Sequence, residues 1–384
     1  MNLKCCLATF FVAVASYIAP GAAAEVVVGV TISLTGPGTS LAIPTQNAIS
    51  IFPTEVGGEK VNYVVLDDGS DPTQSVRNFR KLVNEYKADV ILGSSISPAT
   101  LPLVDIAAET STPLISLAAS SRIVEPQDDV RRWTFKAIQN QELVTGVTVD
   151  HMVKNNVKRI GFIGFSDAYG ESWLQELKKQ LAERNIDLVA VERYGSKDTL
   201  VTAQVLKVMQ AKPDAIFIAA AGTPGALPQK SLLERGFKGP IYQTYGIANN
   251  EFLRISGKDA EGALFAVGPA LVASQLPDAN PVKAVALDLK EKYEAKYGEG
   301  SLSVFVANAW DTQLLLNSAL KDALKHEKPG SAAFRSVLRD SLENVHELVT
   351  SQGVMTMSSQ DHVGYDKRAA VMVQIRDSGW KYIE

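Results

Sequence analysis

The sequence predicts an α/β protein built as two doubly wound lobes, and three observations lead there. Short apolar runs rich in Val and Ile alternate with segments of helical spacing, as in parallel sheets covered on both faces. The alternation occurs twice, over about 26–120 and again over about 157–245, with no close sequence repeat between the halves. The chain of 384 residues is also too long for one ordinary core and fits two units of roughly 100–200 residues each.

Read in order, residues 1–24 form an export signal. Lys4 is its positive start, Leu7 to Ala19 its apolar run, and Ala22-Ala23-Ala24 a small-residue cleavage site, with cleavage expected after Ala24. The apolar run is shorter than the about 20 residues that a bilayer span needs. Cys5 and Cys6 precede that run instead of following it, which favours a free product over a lipid-anchored one. They are the only two cysteines, so the mature chain has no disulfide, no thiolate metal site and no Cys nucleophile.

A buried strand, Val26–Leu34, follows at once and runs into the loop Thr35-Gly36-Pro37. Further strands are expected at Val61–Leu66, Asp89–Leu92, Leu114–Leu117, Arg159–Gly164, Asp187–Glu192, Ala215–Ala219 and Ile241–Thr244. Asp71-Pro72 starts a helix, with Asp as N-cap and Pro in the first turn, and Val76, Phe79, Arg80 and Val83 continue it. Trp173, Leu174, Leu177 and Leu181 mark another apolar stripe. Helices are expected at about 281–297, 307–325 and 331–343. The C-terminus changes character: Gly353 to Met357 and Arg368 to Tyr382 read as antiparallel strands with a Ser-Gly turn.

Composition narrows the function. There are 38 Lys and Arg against 42 Asp and Glu, a net charge of −4, which disfavours a nucleic-acid partner. After the signal no apolar run approaches a membrane span. His151, His326, His346 and His362 have no metal-ligand spacing, and His151 reads as a surface residue on a helix. There is no Walker A motif, no G-x-S-x-G elbow and no G-x-G-x-x-G after a strand, so neither an enzyme nor a cofactor is expected. Asp67, Asp68 and Asp71 suggest a cation, but a solvated turn with Asp71 as a helix cap explains them more simply.

In an open α/β sheet, ligands bind beyond the carboxyl ends of the strands. The loops to inspect are therefore Ser94 to Pro98, where Ser97 reads as the cap of a helix whose first residue is Pro98, and Ala118-Ala119-Ser120-Ser121, whose small side chains let a ligand approach the backbone. Asp167 reads as an N-cap, with Tyr169 just after it.

Several motifs in sequence resemble the type I periplasmic solute-binding proteins of the leucine/isoleucine/valine-binding group, which feed ABC importers. They are Gly29 to Pro37, Asp67 to Pro72, Ser97 to Thr100, Ile115 to Ser120, Asp167 to Gly170, and Gly262 onward. The resemblance implies two lobes joined by a three-strand hinge: residues 25–141 plus 272–348, and 142–271 plus 349–384. It implies a monomer in the periplasm, not itself membrane-spanning, that delivers a small molecule to an inner-membrane ABC permease. It also implies that Ser97, Ala118, Ala119 and Ser120 take the ligand carboxylate and that Tyr169 closes over it. The sequence departs from the amino-acid-binding pattern at three positions. Tyr245 stands where an acidic residue neutralises the ligand ammonium, Ala221 where a tyrosine is common, and Leu41 where the first loop has an aromatic. A buried ammonium without a counter-charge is costly. The expected ligand is therefore a small carboxylate, such as an aromatic acid, with an amino acid still open through Asp167. A free sensor that docks on a membrane receptor is the alternative, and a periplasmic enzyme the less favoured one.

Overall fold

The structure, a computed structural model, describes residues 25–383; the export signal and its cleavage site lie outside the described residues. The first half runs β1 (Val26–Ile32), α1 (Thr39–Ile49), β2 (Glu55–Val56), β3 (Glu59–Asp67), α2 (Pro72–Asn84), β4 (Val90–Gly93), α3 (Ser97–Thr110), β5 (Leu114–Ser116) and β6 (Thr134–Lys136). Its sheet has the order β2-β3-β1-β4-β5-β6 and is parallel from β3 to β6. The strands β1 and β4 are covered by helices on both faces, so their residues are buried without alternation.

The second half runs α4 (Gln141–Lys154), β7 (Arg159–Phe165), α5 (Ala168–Glu183), β8 (Asp187–Tyr194), α6 (Thr202–Gln210), β9 (Ala215–Ala219), α7 (Ala226–Glu234), β10 (Ile241–Gln243), α8 (Asn250–Ser256) and β11 (Leu264–Val267). Then come α9 (Lys283–Tyr297), α10 (Val304–Ala323), α11 (Ala332–Glu343), the ribbon β12 (Leu348–Val349) with β13 (Val354–Met355), and the hairpin β14 (Val371–Arg376) with β15 (Gly379–Ile383). The second sheet has the order β15-β14-β11-β10-β9-β7-β8. Its parallel part repeats the first sheet: in each, the second long strand lies outside the first, and the third, fourth and fifth follow on the other side. Each sheet therefore has a switch point, between β1 and β4 and between β7 and β9, where ligands bind in open α/β sheets.

All eight expected strands form, with ends that differ by no more than a few residues. The strands β6 and β11, three and four residues long, were not expected. β6 also carries a fully buried lysine, Lys136, which breaks the apolar pattern. The C-terminal hairpin turns at Asp377-Ser378, both in the left-handed region, and not at Ser-Gly. His151 is half-buried and shares a 3.0 Å hydrogen bond with the Tyr242 hydroxyl, so it is no free surface residue. Asp71 caps α2 by accepting from Gln74 N–H. Asp68 differs from expectation: it is fully buried and accepts from the Ser33 and Ser94 hydroxyls and from Ser70 N–H, tying the loops after β1, β3 and β4 together.

Residues of α9, α10 and α11 pack on the first sheet, in a core with Val26, Val28, Trp310 and Leu338. Met355 and Met357 join that first core, and Tyr365 packs against it, while Met372 and Val373 belong to the second. The segments around Gln139, Gly268 and Gln352 meet between the sheets. They are crowded at Gly268, where a β-carbon would lie 2.3 Å from Gln352 Oε1 and 2.5 Å from Gln139 Nε2. Buried Asp311 on α10 braces the third of these by accepting from Ser351 N–H, Ser351 Oγ, Gln352 N–H and the Tyr365 hydroxyl. Among the described residues, no helix is long and apolar enough to cross a membrane.

Candidate functional site

Between the two sheets lies a cavity in which the centres of water-sized molecules have about 60 Å³. One water needs roughly 10–15 Å³ on that measure, so about four fit, or one small organic molecule. Its walls come from the segments after β1 (Pro37, Gly38), after β4 (Ser95, Ile96, Ser97), after β7 (Phe165, Asp167) and after β9 (Ala221). The cavity thus sits on the switch points of both sheets at once. Leu117, Ala119 and Ile138 close the first side, Tyr245 and Gly246 the second, and Phe305 and Asn308 enter from α10.

Of the expected site residues, Leu41, Ser97, Ala119, Tyr169, Ala221 and Tyr245 line this cavity. Ala118 and Ser120 do not. Ala118 turns away and packs with Val104, Ile123 and Val124, while its N–H donates to Ser116 Oγ. Ser120 is fully buried, and its N–H donates to Ser97 Oγ at 3.2 Å. Ser97 is not a cap either. It is the first residue of α3, with Ile96 before it and Pro98 as the second helical residue. Its hydroxyl accepts from Ser120, which leaves the hydroxyl proton free for a ligand. Leu41 lies in the first turn of α1 and not in a loop.

Asp167 does cap α5, accepting from Tyr169 N–H at 2.9 Å and Gly170 N–H at 3.2 Å. Burial pushes its carboxyl above the usual range, and those two amides pull it back. The Tyr169 hydroxyl is already taken by Thr244 Oγ1 at 2.7 Å, so this residue offers its ring. The Tyr245 hydroxyl is buried and has no partner, and its ring packs edge-on against Trp173 at 5.6 Å. Gly246 permits this close fit, because a β-carbon there would lie 2.7 Å from both the Tyr169 hydroxyl and Ala221 Cβ.

The electrostatics are one-sided. Among the described lining residues, Asp167 is the one charged side chain, and no Lys or Arg is present. Positive potential comes from helix starts: α1, α3 and α10 direct their first turns at the cavity through Gly38, Ser97 and Phe305. Strand-end reasoning reaches Phe165 and Gly246 as readily as Tyr169. Phe305 and Asn308 carry no local signal, because α10 reaches the cavity from more than 200 residues beyond Ser97. No group of three or more His, Cys, Asp or Glu residues able to hold a metal ion is found among the described residues.

Comparison with known proteins agrees with this architecture. The family model described as periplasmic binding protein matches residues 25–379. The chain is 24% identical, over 274 residues, to the Leu/Ile/Val-binding protein homolog 3 of Brucella melitensis, a match that spans 69% of this chain and 73% of that one. It is 42% identical, with a TM-score of 0.90, to an extracellular ligand-binding receptor from Rhodopseudomonas palustris HaA2, covering 94% of this chain and all 100% of the other. The fold is also that of an ABC transporter solute-binding protein from R. palustris solved in complex with benzoate, at 19% identity and a TM-score of 0.78, with 94% and 95% covered. The chain belongs to the periplasmic binding protein family, and its two-sheet fold is that of the type I members.

Proposed function

We propose that this protein captures a small carboxylate, an aromatic acid above all, between two lobes in the periplasm and hands it to an inner-membrane ABC permease. The observation that carries this reading is the cavity's chemistry: three helix starts and the Ser97 hydroxyl on an anion-favouring side, aromatic walls, and Tyr245 in place of an acidic counter-charge. The first lobe comprises 25–141 plus 272–348, the second 142–271 plus 349–384. The mature chain starts at Glu25, after cleavage at Ala24, and works as a monomer. The carboxylate docks first on Ser97 and the backbone beside Ala119. Hinge motion then brings Tyr169, Ala221 and Tyr245 over the ligand and expels water. A benzoate-binding neighbour of the same fold supports an aromatic acid as cargo, at the level of fold alone.

Asp167 favours a second reading, in which its carboxylate receives the ammonium of an amino acid. Calorimetric titration separates the two. Benzoate or phenylacetate is expected to bind with a tight, saturable isotherm and leucine weakly or not at all. Tight leucine binding with no response to the aromatic acids overturns the first reading in favour of the second.

A further inference from the structure

Lys136 is fully buried at the end of β6, behind the wall that Ala119 presents to the cavity. Its ammonium donates to the Ala119 carbonyl at 3.0 Å and to Asn140 Oδ1 at 2.8 Å, both neutral oxygens. No carboxylate lies within 4.0 Å of it among the described residues, a rare state for a buried cation. Glu125 is one amide away, accepting from Asn140 Nδ2, and Asp361 faces it at longer range. The neighbouring segment also contributes backbone, the His362 carbonyl accepting from Lys136 N–H. The molecule therefore holds a buried positive charge with no direct carboxylate partner one residue behind a cavity that lacks any basic side chain.

We propose that Lys136 is a positioning residue for ligand binding: it fixes the Ala119 carbonyl and supplies, through that loop, the counter-charge that the ligand carboxylate completes. The inference rests on the carboxylate reading above and adds to it the source of the charge. Burial lowers the Lys136 ammonium to about 8, so the empty protein loses this charge just above neutral pH. An incoming carboxylate favours the charged form and raises that value again. Binding then takes up a proton, and affinity falls as pH rises through 8. Of the other groups near the site, burial raises the Asp167 carboxyl and the Tyr169 and Tyr245 phenols and lowers the His362 imidazole.

The test is calorimetry on the mature chain between pH 7 and pH 9, in two buffers of different ionisation enthalpy, using the tightest binder among benzoate, phenylacetate and leucine. Affinity is expected to drop about tenfold across that range, with proton uptake near pH 8.5. Lys136→Met is expected to bind more weakly at pH 7 and to show a flat profile. Lys136→Arg keeps the charge at every pH, so it is expected to restore affinity and also to be flat. If the methionine variant fails to fold, the wild-type profile and the arginine variant still decide. Saturable binding with no pH dependence and no proton uptake in the wild type overturns the role of Lys136 and leaves the carboxylate reading intact. Absence of binding by all three ligands overturns both.

Discussion

At the scale of single residues, Tyr245 and Lys136 each carry a cost that the empty protein leaves unmet. A buried hydroxyl without a partner costs about 1–3 kcal/mol, and the Tyr245 phenol is such a group. Tyr245→Phe is therefore expected to raise the melting temperature of the ligand-free protein. If the hydroxyl meets the ligand, the same change weakens binding by about 1–3 kcal/mol; thermal scans with and without benzoate read both effects. Ser97→Ala removes the donor to the carboxylate and is expected to weaken binding by about 1–3 kcal/mol, seen calorimetrically as a higher dissociation constant. For Lys136 the folded protein disfavours the charged form, so the unfolded chain binds more protons between about 8 and the ordinary lysine value. Stability should therefore rise with pH across that window, and the rise should vanish in Lys136→Met when urea midpoints are compared at pH 7 and pH 10. Tyr245 was legible in the sequence as a departure from an expected acidic residue. Lys136 was not, because a lysine in a three-residue strand looks like a solvated end until its neighbours are known.

At the scale of elements, legibility followed how local the determining interaction is. The Asp71-Pro72 start of α2 and the Asp167 start of α5 were readable because a cap binds amides two or three residues away. Ser97 looked identical in type, yet Thr100 Oγ1 bonds back to the Ile96 carbonyl and Ser97 turns to Ser120 across 23 residues. The strands β6 and β11 exist because their neighbours pair with them, which no local pattern reports. The same holds for Phe305 and Asn308, brought to the cavity by the packing of α10 on the first sheet. Asp167 allows a clean separation of structural and ligand roles. Asp167→Ala removes the cap and is expected to cost about 0.5–2 kcal/mol in urea unfolding. Asp167→Asn keeps a capping oxygen and is expected to leave stability within a few tenths of that scale. If the cargo lacks an ammonium, the Asn variant removes a like charge and binds the aromatic acid as well or better. A loss of leucine binding in that variant supports the amino-acid reading instead.

At the scale of the whole molecule, the two sheets repeat one strand order and place both switch points on one cavity, which makes the distance between the halves the functional variable. The structure has the halves together. Thr223 N–H, from the second half, donates to Ser40 Oγ of α1 at 3.4 Å, and Val304 N–H donates to the Ala248 carbonyl at 3.1 Å. Gly222 permits the first approach, since a β-carbon there would come within 2.4 Å of Ser40 Oγ. Leu41, Ala119 and Phe305 of the first half also pack into the core of the second, and a ligand at a hundred times its dissociation constant contributes about 2.7 kcal/mol to whichever form binds it. The chain after Ala24 has no cysteine, so a pair introduced at the cleft rim reports closure without interference. In a Ser40→Cys, Thr223→Cys variant, a short thiol-reactive crosslinker is expected to join the lobes slowly in the empty protein and severalfold faster with saturating benzoate, read as a mobility shift on a denaturing gel. Equal rates with and without any binding ligand would mean that the halves stay together regardless of cargo. In that case the hinge passages at Gly268 and Asp311 hold one fixed geometry, and ligand entry proceeds by local opening at the rim.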